Sequence, residues 1–87
     1  MLKWCAIYQD DPQKEVCIEE PAPRDAVLKR FEDAKRLGMH GGRAVVGMWL
    51  IDGATEQDDV IGIYGHVPVP IQIRYAAYMM GKKSRAG

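Results

Sequence analysis

The sequence predicts a small two-layer α+β domain: a four-stranded, mostly antiparallel sheet with two helices packed on one face, in the order ββαββα. Three observations lead there. Ala44 to Ile51 (AVVGMWLI) runs eight residues without a charge, bounded by Gly41-Gly42-Arg43 and Asp52-Gly53. It is short for a helix and rich in β-formers, and both of its faces are apolar, as in an interior strand covered on both sides. From Pro23 to Leu37, apolar residues recur with helical spacing. Finally, each of two helical stretches is opened by a proline (Pro23, Pro70) and closed by a glycine (Gly38, Gly81).

The elements follow in order. Leu2 to Gln9 sets Leu2, Trp4, Ala6 and Tyr8 on one face and Cys5 and Ile7 on the other. Asp10-Asp11-Pro12-Gln13 supplies turn chemistry, and Lys14 to Glu19 returns as the second arm of a hairpin. Pro21-Ala22-Pro23 breaks the strand. The helix after it places Val27, Leu28, Phe31, Ala34 and Leu37 on one face, Asp25 in its first turn, and Lys35 and Arg36 in its last. Asp25/Lys29 and Glu32/Arg36 are spaced for ion pairs. Met39 to Arg43 reads as a loop, followed by the central strand, an acidic loop (Asp52 to Asp59) and a short strand, Val60 to Tyr64, pairing antiparallel with it. Gly47 and Gly62 inside these strands mark bulges or close backbone approach. His66 to Pro70 is extended, and a last helix runs from Pro70 to Met80. Residues 1–81 thus form one domain, with 82–87 a basic flexible tail.

Size and charge bound the function. Eighty-seven residues make a thin core, and the apolar fraction of 47% suits a folded chain. No apolar run approaches the roughly 20 residues of a membrane span. The N-terminal apolar stretch is too short for a secretion signal, and two cysteines suit a reducing compartment, so a cytoplasmic protein without membrane contact is expected. Net charge is zero but segmented: −3 over residues 1–20, +3 over 21–43, −4 over 44–65 and +4 over 66–87.

The last helix is apolar on two sides, with Ile71, Tyr75, Tyr78 and Met79 on one and Ile73, Ala76, Ala77 and Met80 on the other. With both helices on one face of the sheet, the face bearing Trp49 and Ile51 also needs a cover. Trp49, Ile51, Ile73, Ala77 and Met80 are therefore the expected interface, in a homodimer or with another protein partner.

Other motifs are weaker. His40-Gly41-Gly42-Arg43 resembles an anion nest, but a helix cap and a tight turn need the same glycines. Cys5, Cys17, His40 and His66 lack zinc-site spacing, and the two cysteines are neighbours only if the hairpin register sets them opposite each other. The only hydroxyl residues besides tyrosine are Thr55 and Ser84, and no catalytic constellation emerges. No enzyme, metal or cofactor is expected. The basic helix 23–37, with Lys29 and Arg36, and the basic residues of 82–85 offer an alternative as a nucleic-acid module, against a pI of about 6.7. The acidic loops (Asp10 and Asp11; Glu56, Asp58 and Asp59) suit docking on a basic protein, as in small inhibitors such as phage-encoded anti-CRISPR proteins. A non-enzymatic protein acting by protein–protein binding is the leading expectation, with a small-anion binder at 39–43 as a further alternative.

Overall fold

A computed structural model describes residues 1–54 and 58–86, giving the backbone alone for 82–86. Its elements are β1 (Leu2–Tyr8), β2 (Asp11–Glu20), α1 (Arg24–Leu37), β3 (Met39–His40), β4 (Arg43–Asp52), β5 (Asp59–Gly65) and α2 (Val69–Ala86). The α+β class and the ββαββα order are present, with one added strand. All strand pairs are antiparallel, in the order β2-β1-β4. The far edge of β4 is divided: β5 takes Gly47 to Asp52, and two-residue β3 takes Arg43 and Ala44.

β3 lies where a loop was expected. Gly41 and Gly42 both have positive φ, 62° and 78°, as a two-residue hairpin turn of type I′ requires. A glycine pair that reads as a loop therefore folds Met39-His40 back on Arg43-Ala44. Gly38, at φ 66°, caps α1 by donating its N–H to the Ala34 carbonyl, as expected. Gly47 is a close approach: the His66 carbonyl sits where its Cβ would be, which brings the end of β5 across β4.

The helices occupy opposite faces of the sheet, and here the expectation of a shared face is corrected. Val27, Phe31 and Ala34 of α1 pack on Leu2, Trp4, Ala6, Tyr8, Met48 and Leu50. Ile71 and Tyr75 of α2, with Val67, pack on Cys5, Trp49, Val60 and Ile63. The cause lies in β1 and β4, which are apolar on both faces. Burying each large side chain of the second face contributes about 2 kcal/mol, so a helix on that face is strongly preferred to one sharing the first. β4 is accordingly the interior strand that the run Ala44 to Ile51 announced, with Met48, Trp49 and Leu50 each no more than 1% exposed.

Two further differences concern α2 and the cysteines. The helix begins at Val69 and continues through Gly81 to Ala86, so Gly81 does not end it and 82–86 are helical. Cys5 and Cys17 are register partners in β1 and β2 and form a disulfide. They are not the free thiols that a reducing compartment would keep. A cross-strand bond that persists in oxidising surroundings also removes the cysteine argument for a reducing compartment. No helix among the described residues is long and apolar enough to cross a membrane.

Candidate functional site

The feature that most departs from an inert surface is the outer side of α2. Its inner side is used: Ile71 is buried and Tyr75 half-buried against the sheet. The outer side leaves Val69 and Ile73 each 63% exposed and Met80 70% exposed, with Ala76 and Ala77 also in solvent. At 100° per residue these five fall in a stripe about 100° wide. The nearby polar side chains face their own chain: Gln72 Nε2 donates to the Val67 carbonyl at 2.9 Å, and Arg74 Nη2 to the Asp58 carbonyl at 2.5 Å. The stripe itself carries no charge.

Of the expected interface, Ile73, Ala77 and Met80 lie in this stripe. Trp49 does not, and is corrected: it is 1% exposed beneath α2. Ile51 is half-buried, lining a cavity of about 400 Å³ with Lys3, Glu19, Asp58 and Arg74. The helix that sequence reading placed beside α1 is what covers the Trp49 face.

The second cluster gathers residues from the turn after β1 and the β3–β4 hairpin. Arg43 forms a bidentate ion pair with Asp10, its Nε donating to Oδ2 at 3.0 Å, and its guanidinium lies 3.8 Å over the Tyr8 ring. The hydrogen bond from Arg43 holds the Asp10 carboxyl below its ordinary range. The Tyr8 hydroxyl and His40 Nδ1 are 2.8 Å apart, and the His40 ring stacks on Trp4 at 4.2 Å. Burial pushes the His40 pKa down, the Glu20 charge opposes this and the Arg30 charge adds to it. Arg43 is thus committed to Asp10, and Gly41 and Gly42 to a turn, so these three do not assemble the anion nest weighed for 39–43.

The other charged surfaces are likewise internally matched. Every basic side chain of α1 has a carboxylate within 4 Å: Arg24–Asp52 at 2.6 Å, Lys29–Asp33 at 3.8 Å, Arg30–Glu20 at 3.7 Å, Lys35–Glu32 at 3.5 Å and Arg36–Asp33 at 2.5 Å. Lys29 and Arg36 thus share Asp33 instead of pairing with Asp25 and Glu32. Four carboxylates thus face five basic side chains, which leaves little of the surplus positive charge that phosphate contact draws on. The acidic loops sit at opposite ends of the sheet, because Tyr8 pairs with Val45 while Leu2 pairs with Asp52. Asp10 and Asp11 therefore share no surface with Asp58 and Asp59, and Glu56 lies outside the described residues. Asp59 is half-buried in β5. No group of three His, Cys, Asp or Glu side chains among the described residues is placed to hold a metal ion.

The turn differs from the expected Asp10 to Gln13: it is Gln9-Asp10, between the paired residues Tyr8 and Asp11, and a bulge between Ile7 and Tyr8 then sets Cys5 opposite Cys17. No protein family, curated protein or solved structure matches this chain. Its functional reading rests on its own residues.

Proposed function

We propose that this chain is a non-enzymatic binding protein that assembles through the outer face of α2, pairing with a second copy of itself. The observation that carries the reading is the uncharged stripe of Val69, Ile73, Ala76, Ala77 and Met80, exposed on a helix whose opposite side is already packed. The stripe is self-complementary. Positions 73 and 80 are equidistant from the midpoint of Ala76-Ala77, so a two-fold axis there sets Ile73 of one copy against Met80 of the other. The alanines at the axis let the helices approach to roughly 8 Å.

Charge selects the antiparallel arrangement. α2 carries Arg74, Lys82, Lys83 and Arg85 and no acid. Parallel pairing would superpose the two basic C-terminal ends, while antiparallel pairing sets them apart. Sedimentation equilibrium at micromolar concentrations tests the reading. The parent chain is expected to run as a dimer, nearly insensitive to salt because apolar contacts carry it. Met80→Glu is expected to run as a folded monomer. A parent that is monomeric throughout, or a Met80→Glu variant that dimerises equally well, would overturn the proposal.

A further inference from the structure

A second site lies on the opposite face of the molecule, between the C-terminal half of α1 and the β3–β4 hairpin. A cavity of about 230 Å³ opens there, lined chiefly by Trp4, Arg30, Asp33, Leu37, Met39 and His40. Its lip is apolar, with Leu37 73% and Met39 40% exposed. Exposed leucine and methionine at a cavity mouth offer an apolar body a place to sit.

The polar groups of the wall divide by sign. Its donors are unspent. Trp4 is 2% exposed, and its Nε1 is buried with no hydrogen-bond partner among the described residues. The Arg30 guanidinium has Glu20 as its nearest carboxylate, at 3.7 Å, beyond hydrogen-bond reach. His40 Nδ1 and the Tyr8 hydroxyl lie 2.8 Å apart, a hydrogen bond whose direction follows the imidazole tautomer. The wall's carboxylate, Asp33, is engaged by Arg36 at 2.5 Å. Unused N–H donors on Arg30, beside a carboxylate already engaged, favour an anion.

We propose that this cavity binds a small monocarboxylate with an apolar body of about one ring. The carboxylate takes its donors from Arg30, and the ring rests on Leu37 and Met39. Size supports the class: a cavity of about 150 Å³ accommodates benzene, and the larger volume here leaves room for a carboxylate beside the ring. Neither the α2 stripe nor its assembly enters this site, so the two proposals stand or fall separately.

Benzoate is the probe, titrated into isotope-labelled protein while the Trp4 indole and Gly41 amide signals are followed. Benzyl alcohol and benzylamine serve as the neutral and cationic comparisons. Benzoate is expected to move both signals saturably, benzyl alcohol to bind more weakly and benzylamine not at all. Arg30→Gln is expected to weaken benzoate roughly tenfold, the scale of one charge-assisted hydrogen bond. Leu37→Glu, at an exposed helical position, is expected to abolish binding by placing a like charge at the mouth. Unmoved Trp4 and Gly41 signals at millimolar benzoate would overturn the proposal. So would equal response to benzylamine, or unchanged affinity in a folded Arg30→Gln variant.

Discussion

At Gly47 the absence of one carbon decides whether two strands can cross. A Cβ there would overlap the His66 carbonyl and lie 3.1 Å from the Tyr64 carbonyl oxygen, so both obstacles are backbone. Gly47→Ala is expected to cost about 3 kcal/mol, the upper end of overpacking effects, read as a lower urea midpoint. Sequence reading flagged Gly47 as a bulge or a close backbone approach, and the second is what the structure shows. It did not identify the neighbour, which arrives through a bulge between Leu50 and Ile51 that no local pattern announces. His40 makes a pH prediction. Burial sets its pKa below the ordinary 6.5, so the unfolded chain holds that proton more tightly than the folded one. The stabilisation is complete above 6.5 and is lost as pH falls from there through the folded value. Urea midpoints at about pH 7.5 and about pH 5.5 are expected to differ less in His40→Gln than in the parent. Asp52 acts in a separate, lower window. Burial raises its pKa, but the Arg24 hydrogen bond, the Ala54 N–H and the Arg24 charge outweigh it. That contribution is present above 3.8 and fades as pH falls through the lowered value.

Among the elements, α1 was the most legible, because spacing, cap and end charges agree there. Of the five residues the periodicity selected, Val27, Phe31 and Ala34 are buried and Leu28 half-buried, while Leu37 is 73% exposed beside Gly38, which ends the helix. α2 was less so. Its glycine at 81 looks like that at 38, yet it lies within the helix, since a glycine weakens a helix by only about 1 kcal/mol. The β1–β2 hairpin was legible as a hairpin, while its staple depended on a register that alternation alone leaves open by even steps. β2 is mostly exposed and buries little of its own, so the disulfide adds to the β1 ladder that holds it. Closing a loop with a sequence separation of 12 is worth about 3 kcal/mol in chain entropy. Cys17→Ala, which removes an exposed half-cystine, is expected to lose that amount in urea denaturation. Reductant is expected to lower the parent to the same midpoint and leave the variant unmoved.

At the scale of the molecule, β4 joins two cores that lie back to back, one under α1 and one under α2. The sequence announced both apolar faces of that strand, but not how the second would be covered. The direction of a chain leaving a strand depends on the geometry around Gly65 and His66, not on periodicity. α2 covers Trp49, yet being apolar on two sides it carries an uncovered face outward again. The proposed partner surface thus moves from the sheet to the helix. If α2 pairs there with a second copy, stability and assembly are linked, because association removes folded chains from the unfolding equilibrium. A tenfold rise in protein concentration is then expected to raise Tm by roughly 2–5 °C, followed by thermal denaturation monitored through the tryptophans. Ile73 is 63% exposed and contributes little to either core. Ile73→Glu is therefore expected to keep the parent's Tm in the dilute limit and to abolish the rise. A variant that unfolds earlier even when dilute would instead make Ile73 a folding residue, and a parent Tm independent of concentration would leave α2 without its second copy.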